Sequence, residues 1–432
     1  MYSYRMRHNY SRRKPHKDMI QIKDRCQYFN VNRILLLIVG LWPYQQSSFT
    51  TFQQIFVTTT FITFILFQLT SFLTSRCTSE FLMKVLSSAT FFGVFMIKYN
   101  SFCFNIEGMK DLLIQLQHVH NNIKDKNEIA IIKKYHCIAK RYVTGLIALG
   151  FFATFAIIIV QFWMNMVSVD LSTNASRRYH FIFITEYFID QEKYIGLIYL
   201  HVNAAFCIGS IVAVAIGAIL IAYTQHICGM FRIASYRIEY VININILQNV
   251  TQKHKIWMAE NIGYAVDIHR QAMKLMKQLM SILEIMMFCL IVCGVASLSL
   301  NLFQLVLFRN DIGSIVMPFV FATVCMLYMF LANLMGQNII DHNHYVLNTA
   351  YNVQWYKSSL HMQKMILFLL QRGTKEFTLN VAGLFDASME CFATILCIIA
   401  AGESFGVILY CYIFNAMIKQ ISIYYIVEYL KK

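Results

Sequence analysis

Charge and proline are the two things this sequence has least of. Charged residues make up 14% of its 432 positions, and there are 3 prolines. A soluble chain carries about a quarter charged residues, so an array of water-exposed domains is excluded. The strict apolar–polar alternation of a membrane barrel is also missing. The first 33 residues are basic and lack the apolar core of a cleavable signal peptide. No nucleophile, metal-ligand or nucleotide motif is present that would make a membrane enzyme, and no internal repeat points to a secondary transporter. The Asp-Arg-Tyr and Asn-Pro-x-x-Tyr motifs are absent. Of 12 cysteines only Cys77 falls clearly in an outside loop, so none can bridge the top of the third span to the loop after it. A G-protein-coupled receptor is therefore a poor reading.

What the chain does have is apolar residues, 58% of the total, gathered in long blocks. Only helices or closed barrels satisfy their own backbone hydrogen bonds in lipid. The blocks therefore predict an all-α, polytopic seven-transmembrane protein. About 20 apolar residues make a span, and seven are read at 51–72, 81–97, 143–166, 195–223, 279–308, 315–335 and 381–413. The last is too long for one simple crossing. The run 34–41, ahead of Trp42-Pro43, reads as cytoplasmic or interfacial.

The net charge of +15 reads as basic cytoplasmic loops and not as a nucleic-acid surface. Lys and Arg number nine before span one, eight after span two, seven after span four and four after span six. The alternate loops hold only Arg76, then Arg177, Arg178 and Lys193, then Arg309. The positive-inside rule places the N-terminus in the cytoplasm. Of the sequons at Asn9, Asn174 and Asn249, only Asn174 then lies outside, as the one candidate for glycosylation.

The inside loops are long and patterned as helices. Met109, Leu112, Leu113, Leu116, Val119 and Ile123 recur at helical spacing, as do Ala265, Ile268, Met273 and Met276 toward span five. Spans three to six are thus expected to continue as helices beyond the membrane. In the segment 336–380, His342 and His344 are two residues apart and would diverge on a helix, so metal ligation is not expected there. The amphipathic run 358–371 predicts a helix with one buried face, ended by a polar break at 372–380. Asp386 and Glu390 are spaced by one helical turn. Facing a wet vestibule they would draw cations; at the membrane boundary they would cap the helix or pair with Lys375 or Arg372. Both readings stand.

The block Tyr351-Asn352-Val353-Gln354-Trp355-Tyr356, then Leu367-Phe368-Leu369-Leu370-Gln371-Arg372, then Gly383-Leu384-Phe385 and Ser388-Met389-Glu390-Cys391-Phe392, resembles the C-terminal third of the insect odorant receptors. Upstream, Gly40-Leu41-Trp42-Pro43, the stretch from Thr185 to Tyr194 and Ala265-Val266-Asp267-Ile268-His269-Arg270 are similar to the same family, most of all to ant and related hymenopteran receptors. The resemblance implies an odorant-tuning subunit of a heteromeric, ligand-gated, non-selective cation channel. It would assemble with a co-receptor into a tetramer in the sensory-neuron membrane, without a cofactor.

On that resemblance the chain divides into a cytoplasmic segment (1–50), six spans with the odorant-binding region (51–335), an anchor segment (336–380), a pore-lining seventh span (381–413) and an atypical tail (414–432). Tyr351, Trp355 and Tyr356 would anchor the subunits. The odorant pocket, for a small volatile or hydrocarbon-like ligand, would draw on Phe91, Phe92, Phe155, Ile159, Gln161, Trp163, Tyr199, His201, Asn203 and Phe321. Asp386, Glu390, Val407 and Cys411 would line the pore. After Leu396 the sequence departs from the family's ending, and the tail reads equally as an extra helix, a disordered end or translated intron. A gustatory receptor of the same architecture, or a non-functional copy with an aberrant end, are the alternatives.

Overall fold

The computed structural model describes residues 30–45, 47–74, 78–170, 183–190, 193–247, 252–307, 312–373, 380–381, 385–386 and 388–401. Helix α1 (Asn30–Ile38) leads into a turn at Gly40, whose φ of +71° suits glycine. A Cβ there would also meet the Gln53 side chain at 3.0 Å. The spans then start on capped ends. Ser47 Oγ accepts from Thr50 N at the head of α2 (Ser48–Leu69), and Thr78 Oγ1 accepts from Phe81 N at the head of α4 (Ser79–Phe104). The short α3 (Ser71–Thr74) lies between them.

The next helices are α5 (Ile106–Asn122), α6 (Lys126–Asp170), α7 (Ile195–Leu247), α8 (Gln252–Leu307) and α9 (Ile312–Asn352). The third to sixth spans are therefore single helices of 41 to 56 residues, well beyond the length a bilayer needs. The expected extensions are real. The separate helix α5 buries Met109, Leu112, Leu113, Leu116 and Val119, with Ile123 buried just past its end, and the extension of α8 buries Ala265, Ile268 and Met276. Pro318 is carried inside α9.

Helix α7 is the hub, in contact with α1, α2, α4, α6, α8 and α9. Of its most apolar stretch 61% is buried, against 17% for α6. The rest of the apolar surface, including Phe52, Phe56, Phe151, Phe152, Phe162 and Ile285, points outward, as lipid contact requires and water would penalise. In all, 6 described helices are long and apolar enough to cross a membrane. Polar clasps join them at depth. Ser87 Oγ donates to Asn301 Oδ1 at 2.8 Å, and Gln304 Nε2 to the Met83 carbonyl at 3.2 Å, holding α4 against α8. Each such bond is worth about 0.6 kcal/mol in a bilayer.

At the other end of the long helices, Arg237 of α7 grips Glu128 of α6 through Nε (2.5 Å) and Nη2 (2.8 Å), and donates Nη1 to the Tyr264 carbonyl of α8. Tyr135 OH meets His342 Nε2 at 2.7 Å, and His269 Nε2 meets Asn343 Oδ1 at 2.9 Å. His342 is thus engaged with α6 and with the Asn338 carbonyl.

The segment expected to open the seventh span is different. Asn380–Val381 (β1) pairs antiparallel with Phe385–Asp386 (β2), and helix α11 (Met389–Ala401) starts only after them. Val381, Phe385 and Asp386 are therefore extended and not helical, which corrects the 381 start. Asp386 and Glu390 do not share a helix turn, because the backbone is extended at Asp386. Ser388 Oγ accepts from Cys391 N and sets the helix start. Phe392, Ile395 and Leu396 then pack on Leu298 and Leu302 of α8 and on Met326 and Phe330 of α9. Before the strands, α10 (Leu360–Gly373) buries Met362, Ile366 and Leu369, the one-sided helix that the sequence pattern predicts.

Candidate functional site

Aromatic rings from four helices and one loop meet in a single cluster. Phe64 of α2 lies 4.3 Å, centroid to centroid, from Phe92 of α4. Phe91 stacks on Phe321 of α9 at 4.2 Å, and Phe206 of α7 flanks Phe91 at 6.5 Å. Phe183, from the loop ahead of α7, reaches Phe64, Phe92 and Phe321 at 5.6 to 6.1 Å. Phe95 closes the cluster one turn along α4, seated where a Cβ on Gly209 of α7 would stand. Rings in offset or edge contact contribute about 0.5–1.5 kcal/mol each beyond their area.

The polar member is His201. Its Nε2 lies 3.1 Å from Thr63 Oγ1 and its Nδ1 2.8 Å from Tyr187 OH, while its ring stands against Phe64 and Phe67. The loop is held in place by Glu186 N donating to the Phe67 carbonyl and Thr70 Oγ1 donating to the Glu186 carbonyl. Burial raises the Tyr187 hydroxyl to about 12, so it is a neutral donor and acceptor at ordinary pH.

Among the expected pocket residues, Phe91, Phe92, Phe321 and His201 come together here. Gln161 of α6 is buried, and Tyr199 is half-buried. Asn203 turns its amide back onto the Tyr199 carbonyl at 2.8 Å. Phe155, Ile159 and Trp163 stand apart. Spaced by four, they form an outward stripe with exposures of 54%, 49% and 67%. Phe64, Phe183, Phe206, Thr63 and Tyr187 were not anticipated. The run Phe61, Phe64, Phe67 on span one was the available signal, since Phe61 and Phe64 share an inward face.

At the opposite end, Tyr351 and Tyr356 are exposed and Trp355 half-buried. With Leu360, Leu367 and Phe368 they leave an apolar surface uncovered in the single chain. Glu390 is exposed in the first turn of α11, where a carboxylate suits the positive end of the helix. Val407, Cys411 and Asn174, with the tail, lie outside the described residues. Among the described residues, no three His, Cys, Asp or Glu side chains are placed to hold a metal ion.

Residues 78–400, about three quarters of the 432, match the family described as 7tm Odorant receptor. The backbone is similar to the insect olfactory receptor OR5 from Machilis hrabei in complex with eugenol, with a TM-score of 0.71 over 92% of this chain and 100% of that one, at 15% identity. A second structure of that receptor gives a TM-score of 0.67 over 91% and 99%, also at 15% identity. At this identity the likeness is one of fold. No curated protein matches the sequence.

Proposed function

This chain belongs to the 7tm odorant receptor family, and from that membership we propose that it is the odorant-binding subunit of a heteromeric odorant-gated cation channel. It is a multi-pass membrane receptor; its ligand, partner and channel activity are what we propose. The observation that carries the reading is the closed aromatic cluster of Phe64, Phe91, Phe92, Phe183, Phe206 and Phe321 with His201 at its edge. A largely apolar site with few polar groups suits a small volatile molecule, and the single imidazole with its hydroxyl partners gives orientation. The related receptor whose structure holds eugenol shows that a small aromatic is accepted on this fold.

The N-terminus would face the cytoplasm, and so would the long extensions of α6 to α9. The uncovered surface around Tyr351, Tyr356 and Leu360 then supports assembly with a co-receptor, a tetramer being the expected form. Glu390 would face the entrance of the pore, with Val407 and Cys411 farther along. The test is whole-cell current in cells expressing the chain with and without a co-receptor, under an odorant panel and with G-protein signalling blocked. A fast cation current that needs both subunits is expected. An odorant response that is present without the block and vanishes under it would refute the channel reading.

A further inference from the structure

Helix α6 changes chemistry along one unbroken face. Its opposite side packs on α7 and α9, burying Ile132, Tyr135, Ala139, Val143, Leu146 and Ile157. The outward side is aromatic in the span, with Phe151, Phe152, Phe155, Phe162 and Trp163 all exposed. About three helical turns before Phe151 and Phe152, the same face carries Lys140 and Arg141. Two turns earlier still it carries Lys133 and Lys134, and Lys126 stands at the helix start. All five cations are exposed, and among the described residues none makes an ion pair. Between Lys126 and Trp163 the only acidic side chain is Glu128, which is turned inward onto Arg237. The lipid-facing stripe of α6 therefore continues, without rotation, into a stripe of uncompensated positive charge.

We propose that this stripe binds a polyphosphorylated inositol phospholipid in the leaflet on its side of the membrane. Five cations directly beside a spanning segment make the electrostatic pattern that anionic lipid headgroups recognise. The spacing along the axis selects among those headgroups. Lys140 and Arg141 stand within about 5 Å of Val143, the first residue of the span, which is the depth of the headgroup layer. They meet the phosphodiester, and the Arg141 guanidinium is suited to grip it with two hydrogen bonds. Lys133 and Lys134 lie about 15 Å from Val143, beyond the phosphodiester level. A headgroup must project from the surface to reach them, and the ring phosphates of an inositol lipid do. Phosphatidylserine meets only the first pair. The acyl chains then run along the exposed aromatic stripe of the same helix. Which leaflet is occupied rests on the orientation proposed above. Binding itself requires neither odorant nor co-receptor, so it stands or fails separately from the channel reading.

The experiment is titration of the purified full-length chain in mixed lipid–detergent micelles with headgroup-labelled phosphatidylinositol bisphosphate, read by fluorescence anisotropy at about 0.15 M salt. Affinity is expected to exceed that for labelled phosphatidylcholine at least tenfold, and unlabelled phosphatidylserine should compete at least tenfold less well than the unlabelled bisphosphate. Replacing Lys133, Lys134, Lys140 and Arg141 together by Gln should lower affinity at least tenfold, with the helical circular dichroism retained. The charge-conserving set Lys133→Arg, Lys134→Arg, Lys140→Arg and Arg141→Lys should stay within about threefold. Lys357→Gln with Lys364→Gln, exposed cations on another part of the chain, should stay within about twofold. Equal affinity for the zwitterionic lipid, equal competition by phosphatidylserine, or unchanged binding in the four-Gln variant would overturn the proposal. So would an equal loss in the Lys357 and Lys364 pair, which would reduce the effect to net charge.

Discussion

Phe91 of α4 and Phe321 of α9 stack with their centroids 4.2 Å apart and their planes at 17°. Both rings are buried, so the contact belongs to the interior of the bundle and not to its lipid face. Phe321→Leu keeps the apolar volume but removes the stack. It should raise the half-maximal odorant concentration about tenfold, the equivalent of about 1.4 kcal/mol. Phe155→Leu, on the outward stripe of α6, should stay within about twofold. Dose–response curves for the two variants check this, and equal shifts would remove the cluster from consideration as the ligand site.

His201 is gripped from both sides, by Thr63 and by Tyr187. Tyr187→Phe leaves the ring stack with Phe67 in place and deletes only the hydroxyl. The expected loss is about 1 kcal/mol of stability, with a change in rank order among odorants that carry a hydroxyl or carbonyl. Tyr187 also fixes a pH window. Its hydroxyl is raised from 10.0 to about 12 by burial, so the folded chain resists an ionisation that the unfolded chain undergoes. The contribution is complete below pH 10 and is lost as pH rises from 10 to about 12. Thermal melts across that range should fall more steeply for the native chain than for Tyr187→Phe.

Glu128 and Arg237 form a two-pronged pair with side-chain exposures of 7% and 22%. Removing one partner leaves the other charge buried and unmatched. Glu128→Gln should therefore cost about 3–5 kcal/mol, seen as a fall in surface expression and in melting temperature. A double variant, Glu128→Leu with Arg237→Met, should recover most of it.

The sequence carried the architecture further than it carried the site. Long apolar blocks, basic alternate loops and helical stripes such as Ala265 to Met276 read directly as spanning helices with extensions, because each follows from local composition or one-dimensional periodicity. Phe155, Ile159 and Trp163 read as pocket residues and are outward instead. In a membrane helix both the lipid face and the interior face are apolar, so periodicity alone does not say which one turns inward. Val381, Phe385 and Asp386, which pair as strands, read as helix for a related reason: an apolar run has the same composition in either form.

The exposed aromatic surface near α10 makes a separate prediction. Tyr356 and Leu360 are 61% and 68% exposed and touch little of their own chain. Tyr356→Ser with Leu360→Ser should therefore leave the isolated chain within about 0.5 kcal/mol of its stability. The same pair should abolish co-purification with the co-receptor, because exposed aromatic anchors carry much of the energy of an interface. Unimpaired co-purification would move the subunit contact elsewhere.

Gln68 of α2 is 0% exposed, and neither its Nε2 nor its Oε1 has a hydrogen-bond partner. It sits one turn from Phe64 on the same inward face, directly beside the aromatic cluster. An unmet buried polar group costs about 1–3 kcal/mol, whereas an apolar side chain of similar shape carries no such penalty. Gln68→Leu should accordingly raise stability by about that amount, read as a higher melting temperature of the purified chain in lipid nanodiscs without odorant. A lower melting temperature would mean that the amide is satisfied in the working receptor by an ordered water. In that case Gln68 is part of the polar lining of the cluster, and its replacement should also weaken the response to oxygenated odorants relative to hydrocarbons of equal length.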